Sequence, residues 1–343
     1  MAYIKWFYRA VFLIITLLAL CAGYLYMQVT SPITLSESTT FEVVKGDSAY
    51  SLGYRLHSDG LIEQPFLTRV VAKLKPTWVP KVGKYALDPS MNLMQVMSLF
   101  DSGESISYDI TLLEGKTTQD YLLAMKAKGN IKMTLLGLSD EEIAEKLALK
   151  VAHPEGRFFA NTYRYHDGDT DVSILKHANG LLVNTLDVLW QNKAEGLPYK
   201  TPYDALIMAS IIEKETAVPA ERPLIARVFI SRLQKRMRLQ TDPTVIYGLG
   251  KEFTGNLTRK GLQSKSPYNT YRVYGLPPTP IANVGHEAIA AALNPGQTKA
   301  LYFVAKGDGS HAFSNTLKEH NRAVRKYQYK RRDDYRSTPD VTQ

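Results

Sequence analysis

Two glutamates separated by one lysine, Glu213-Lys214-Glu215, close the apolar run from Ala205 to Ile212, and they are the residues of this 343-residue chain best placed for acid chemistry. On a helix turning about 100° per residue, Ile207, Met208, Ile211 and Ile212 share one bulky apolar arc, and Glu215 falls at its centre. Glu213 falls on the opposite side with Leu206, Ala209 and Ser210. A carboxyl carried on a buried face loses hydration, which disfavours its charged form and raises its pKa. A carboxylic acid that stays neutral near neutral pH can protonate a glycosidic oxygen. The competing reading is a structural glutamate paired with Arg222 or Arg227.

Downstream segments bring groups that suit a sugar site. Met237 to Gly248 supplies Gln240, Thr241, Asp242 and Tyr247, and Ser266 to Tyr271 adds Tyr268, Asn269 and Tyr271. Aromatic rings stack on sugar faces and a side-chain amide can bond an N-acetyl group; the same tyrosines can equally be core packing. Asp242, just before Pro243, reads as a helix cap rather than a second catalyst. The proline-stiffened stretch Gly275 to Asn283 can wall a groove. His311 and His320 lack an obvious third ligand, so hydrogen-bonding or core roles are favoured over zinc. No metal and no cofactor is expected.

The elements that must position these groups read as an α+β chain. Phe41 to Asp47 is a strand entering a turn at Gly46, Ser48 to His57 and Gln64 to Leu74 are helical, Gly83 to Leu87 is a return strand, and Asn92 to Phe100 is a helix ending near Gly103. A second strand-plus-helix unit runs from Tyr108 to Ala127, and Ser139 to Glu142 opens a further helix as a capping box. Helices then dominate, at 172–195, 203–217, 221–236 and 286–293. Thr241 to Gly285 reads as a long segment without regular structure, and such loops are usually functional or disordered. Ala300 to Ala305 and His311 to Ser314 form a hairpin before a last helix starting at Asn315 or Thr316. The organisation expected is an anchor at 1–30, a linker at 31–40, a small module at 41–105, a catalytic domain at 106–335 and a tail at 336–343.

The anchor is legible directly. No charge interrupts Ala10 to Met27, and with Trp6, Phe7 and Tyr8 the run reaches the roughly 20 residues that cross a hydrocarbon core. Lys5 and Arg9 precede it and no basic residue follows until Lys45, an asymmetry that places the N-terminus in the cytoplasm and the remainder outside it. A cleaved signal peptide is disfavoured by the poor small-x-small site at Ala19-Leu-Cys21. Cys21 is the only cysteine, which excludes a disulfide framework or a cysteine metal site. The formal net charge of +9 suits a partner carrying carboxylates or phosphates, with the basic residues Arg322, Arg325, Lys326, Lys330, Arg331, Arg332 and Arg336 clustered late. Export of the domain and the lack of a recognisable motif argue against nucleic acid.

Several of these segments together resemble one family. Glu213 to Thr216, Leu239 to Gly248, Tyr268 to Tyr271, Gly275 to Pro278 with Pro280-Ile281, Leu301 to Val304 and His311 to Asn321 look like the endolytic murein transglycosylases (YceG-like) and stand in that family's order. Gly83-Lys-Tyr85, Leu113-Glu-Gly115 and Glu155-Gly156 are further landmarks. The chain departs at Phe159-Ala-Asn-Thr-Tyr163, where an aromatic-Pro-Asp-Thr-Tyr run is usual, and this bears on Asn161 as a groove contact. The resemblance implies that Glu215 is the catalytic acid and that 41–105 is a LysM-like module. It also implies peptidoglycan glycan strands as substrate, cut outside a bacterial plasma membrane, and proximity to peptidoglycan synthases. A hydrolytic muramidase using Glu213 or Asp242 as the second carboxylate, and a non-catalytic cell-wall-binding scaffold, are the alternatives.

Overall fold

The computed structural model describes residues 2–329. The basic residues Lys330, Arg331, Arg332 and Arg336, and the tail 336–343, lie outside the described residues. The chain forms two compact units, one running to Tyr108 and taking in Arg164–Asp167, the other comprising Asp109–Tyr163 and the chain from Gly168 onward.

The first unit begins with helix α1 (Ala2–Thr30), long and apolar enough to cross a membrane. Leu13, Leu17 and Leu20 on it are exposed, an arrangement that apolar surroundings would favour. Its last turn is different: Val29 is buried in the unit's core. The following stretch packs there too, with Ile33 buried and its N–H donating to the Met91 carbonyl at 2.8 Å. Strands β1 (Thr39–Val43) and β2 (Gly83–Leu87) pair antiparallel, with Phe41 opposite Tyr85. Alternation sends Phe41, Val43, Tyr85 and Leu87 inward. Between the strands lie α2 (Ala49–Ser58) and α3 (Leu67–Leu74), and α4 (Leu93–Ser102) follows β2. The ring of Phe100 stacks on Phe41 at 5.5 Å and meets Tyr85 edge-on at 5.0 Å. Gly53 is required where α2 meets α3, because a Cβ there would stand 2.2 Å from the Pro65 carbonyl oxygen. Ser48 and Asn92 cap α2 and α4 with reciprocal boxes, and Gly103 ends α4 in the left-handed conformation.

Strands β3 (Ser107–Leu112) and β4 (Asn161–His166) pair with each other, and the division between units falls within both. β4 is an element the pattern reading missed, although the burial of Tyr163 and Tyr165 between exposed neighbours is a period-two signal. The second unit is mainly helical: α5 (Thr118–Lys128), α6 (Asp140–Leu147), α7 (Asp171–Gln191), α8 (Pro202–Glu215), α9 (Arg222–Gln234), α10 (Asp242–Leu249), α11 (Arg259–Leu262), α12 (His286–Leu293) and α13 (Leu317–Val324). β5 (Tyr302–Ala305) and β6 (His311–Ser314) make the antiparallel hairpin ahead of α13. Thr117, Ser139, Thr170, Thr201 and Thr316 each close a capping box on α5, α6, α7, α8 and α13.

Helix α8 is the centre of this unit. Every residue from Ala205 to Ile212 is buried, so the expectation of a one-sided apolar arc is corrected: the helix is covered on all faces by α7, α9, α10 and α12. Small residues on α12 (Ala288, Ala291, Ala292) join its core and let the two helices approach. The one polar side chain in that stretch, Ser210, is satisfied, donating to the Ile207 carbonyl at 2.7 Å and accepting the Ile281 N–H at 3.0 Å. Thr241–Gly285 is not irregular throughout, because α10 and α11 lie inside it. Pro243 sits in the first turn of α10, where its missing N–H costs nothing. Asp242 is a helical residue and Thr241 holds the cap position without a side-chain cap bond, which replaces the reading of Asp242 as a cap.

Candidate active site

The end of α8 splits its two glutamates between different surroundings. Glu213 is enclosed, its side chain 3% exposed, with an Arg222 guanidinium nitrogen at 3.0 Å and the Gly285 N–H donating at 3.1 Å. The Arg222 alternative raised from sequence therefore describes Glu213, whereas Arg227 donates to the Gly296 carbonyl. Glu215 is half-buried and has no arginine partner; its carboxylate accepts a very short hydrogen bond from the Thr241 hydroxyl. Burial pushes its pKa up to about 7, with Thr241 opposing, Asp242 reinforcing and Arg232 opposing.

Glu215 opens into a cleft of about 430 Å³ that Gln240, Thr241, Asp242 and Tyr271 also line. Packing and hydrogen bonds make this geometry rigid. Thr241 is held by its N–H to the Thr270 hydroxyl (3.1 Å), and the Thr244 hydroxyl donates to the Thr241 carbonyl (2.8 Å). Gln240 adopts φ 52°, a left-handed conformation that costs a non-glycine residue of order 1 kcal/mol or more and persists only where the surroundings impose it. The Tyr271 hydroxyl donates to Asp242 at 2.6 Å, and burial followed by the Asp242 carboxylate raises that phenol's pKa.

Arg232, from α9, was not anticipated. Its guanidinium donates to the Leu301 and Leu239 carbonyls, both at 2.7 Å, and lies 5.1 Å over the Tyr302 ring. It thereby ties the segment leading to Thr241 to the hairpin, while lining the cleft as a positive charge. His320 and Asn321 line the cleft from α13. The His320 ring stacks on Tyr302 at 5.2 Å, its Nδ1 is buried without a partner, and burial lowers its pKa. His320 had been weighed only as a metal or core residue; the one signal for it was its place in the segment His311 to Asn321.

Other candidates fall elsewhere. Asn269 is fully buried and its amide donates to the Leu262 and Ser264 carbonyls at 3.0 and 2.9 Å, so it shapes the Tyr271 turn and cannot meet a sugar. His311 is taken up by Glu221, with Nδ1 at 2.7 Å and its own N–H donating at 2.8 Å, which pins β6. Asn161 is exposed at the start of β4 and accepts the Thr162 N–H; it is not among the cleft-lining residues. Tyr247 and Tyr268 meet edge-to-face at 4.9 Å away from the cleft lining, Tyr268 bonding Thr279 at 2.7 Å. The Gly275–Asn283 stretch ends as a core strut: Asn283 is fully buried and its carbonyl accepts the Gly115 N–H at 2.9 Å while its Oδ1 accepts the Phe158 N–H at 3.1 Å.

Known proteins carry the same arrangement of sequence. The profile of the YceG-like family matches residues 41–326. The chain is 33% identical over 320 residues to the endolytic murein transglycosylase of Bacillus subtilis (strain 168), spanning 86% of this chain and 87% of that protein. It is 26% identical over 319 residues to the endolytic murein transglycosylase of Streptococcus pneumoniae (strain ATCC BAA-255 / R6), spanning 83% of this chain and 57% of that longer protein. Among solved structures it is similar to the crystal structure of a yceG-like protein from Listeria monocytogenes, at 31% identity and a TM-score of 0.52, covering 83% of this chain and 99% of that one. With the profile running from the first strand through the last helix, the chain belongs to the YceG-like family.

Proposed function

We propose that the chain is an endolytic peptidoglycan lytic transglycosylase, cutting between MurNAc and GlcNAc in glycan strands, with Glu215 as its acid and base. The observation that carries this is a lone carboxyl, its pKa raised to about 7, at the wall of an open cleft and free of any arginine pair. Protonated Glu215 gives its proton to the bridging oxygen, the MurNAc C1–O bond breaks, and GlcNAc leaves with a free hydroxyl. The carboxylate so formed takes the proton of the MurNAc C6 hydroxyl as that oxygen bonds to C1, closing a 1,6-anhydro ring. No water is consumed. One carboxyl serves both steps because they need opposite protonation states. Thr241 stabilises the carboxylate between them, while Gln240, Asp242 and Tyr271 meet substrate hydroxyls.

The Bacillus and Streptococcus relatives named as endolytic murein transglycosylases support this reaction for the present chain. The length and apolarity of α1 support a single-pass anchor, and the flanking charges support a cytoplasmic N-terminus with the remainder extracytoplasmic. The strand–helix–helix–strand order of β1, α2, α3 and β2, with antiparallel strands, supports a LysM-like module at 41–105; residues 106–335 then form the catalytic domain. Peptidoglycan synthases are the proposed neighbours, since cutting nascent strands would set their length.

Full-length protein in detergent, incubated with uncrosslinked glycan strands, is expected to release fragments with anhydro ends by mass spectrometry. Reducing ends would mean that water completes the reaction, and binding without release would mean a scaffold.

A further inference from the structure

Outside the Glu215 cleft, the second unit holds a larger cavity of about 840 Å³. It adjoins the cleft at two places along the chain. Helix α8 contributes Glu215 to the cleft and the preceding Lys214 to the cavity; α10 contributes Asp242 to the cleft and the following Pro243 to the cavity. A linear polymer leaving the Glu215 cleft along either element meets this space next.

The lining is suited to an uncharged, two-faced ligand. Ile246, Tyr247, Phe253 and Ile281 give apolar and aromatic walls, and Gln119 with Thr117 gives polar groups at the start of α5. Two lysines (Lys214, Lys251) are matched by two acids (Asp140, Glu155), so the space favours neither an anion nor a cation. Glu155 is the unusual member. It is 5% exposed, accepts the Thr118 and Gly156 N–H groups at 3.0 and 3.3 Å, and has the Tyr247 hydroxyl at 3.4 Å from its other oxygen. Burial pushes its pKa up to about 7, the hydrogen bonds opposing, so near neutrality it offers both a proton donor and an acceptor. Gly156 keeps this turn in place: its φ is +71° and a Cβ would stand 2.3 Å from the Pro280 ring. Sugars present apolar ring faces edged by hydroxyls, and N-acetyl groups add a methyl beside an amide, which is the complement of this lining.

We propose that this cavity is a distal subsite holding an N-acetylated sugar unit of the same glycan strand, beyond the two sugars joined at the cut bond. The proposal rests on the reading of the Glu215 cleft as the cutting site. It explains how cuts can fall within a strand: the enzyme grips sugars away from the bond as well as beside it.

The test measures binding, so that it does not depend on turnover. In the full-length Glu215→Gln background, peptide-free strands of increasing length are titrated by calorimetry, with and without Ile246→Trp, which fills the cavity, and Phe253→Ala, which removes a wall. Expected is an affinity that rises with strand length, and a long-to-short affinity ratio that drops about tenfold with Ile246→Trp and less with Phe253→Ala. An unchanged ratio overturns the proposal, whether both affinities stay put or fall together through misfolding. A length effect confined to strands that carry stem peptides also overturns it, because the occupant would then be peptide. Failure of the cutting-site reading is a separate result, read as continued cleavage by the Glu215→Gln protein.

Discussion

The two sides of the last turn of α8 hold the same functional group under opposite conditions. On one side Glu213 is closed in, its charge answered by the Arg222 guanidinium at 3.0 Å and the Gly285 N–H at 3.1 Å. On the other, Glu215 has lost much of its water without gaining a cation, and a single hydroxyl from Thr241 is its hydrogen-bond partner. Burial raises the pKa of both, yet they differ in use. A carboxylate held by a fixed ion pair and a backbone N–H is a strut, since protonating it breaks the pair. A carboxyl at a cleft wall with a titration near neutrality can give and retake a proton. Desolvation alone does not make an acid catalyst; desolvation with access does.

The comparison is broken most directly by exchanging the two losses. Glu215→Gln keeps the shape of the side chain and removes its proton chemistry, so kcat is expected to fall about a thousandfold or more, with the melting temperature preserved or raised. Glu213→Ala should do the reverse, destabilising the fold by about 3 kcal/mol in urea denaturation because Arg222 is left buried without its partner. If Glu213→Ala kills the reaction in a protein of native stability, the division of roles fails.

Smaller effects sharpen it. Thr241→Val removes the donor to Glu215 and should lower kcat roughly tenfold, about the loss expected for one hydrogen bond to a charged group. The Thr241 bond lowers the Glu215 pKa, so the same variant should move the alkaline limb of the pH–rate profile upward. In the wild type that limb should begin near pH 7, kcat/KM falling about tenfold per pH unit above it, because the first step needs the protonated form. Stability follows the same group with a definite sign. The folded carboxyl, near 7, binds its proton more tightly than the unfolded one at its ordinary 4.5. Its contribution is full below about 4.5 and is lost as pH rises through about 7, so melting temperature should decline across that window less steeply in Glu215→Gln. The smallest change is expected of Tyr271→Phe, a few-fold loss in kcat/KM on removing the donor to Asp242.

Much of the frame is written locally. Ser48, Asn92, Ser139 and Thr316 announce their helices by capping chemistry, and the structure starts α2, α4, α6 and α13 just after them. The β1–β2 and β5–β6 pairs follow from alternation bounded by turn residues. The site was legible only in part. Gln240, Thr241, Asp242 and Tyr271 do meet Glu215 at one cleft, whereas Asn269 and His311 have the right chemistry but spend it on backbone carbonyls and on Glu221. Nothing local distinguishes an asparagine that faces a ligand from one that closes a turn. Arg232 and His320 carried no such signal, since both matter only through Tyr302, which the hairpin brings to them.

What the amino-acid sequence determined by itself is the set of short-range facts: where helices and strands begin, that α1 can span a membrane, and that two carboxyls close an apolar helix. Which carboxyl faces the cleft was decided by tertiary packing. Because α8 is buried on every side, its own periodicity could not mark an outer face; the choice fell to Arg222 and Gly285 on one flank and to Thr241 on the other. Those partners are brought in by helix packing and loop closure over many residues, and such contacts follow from how the whole core fills space.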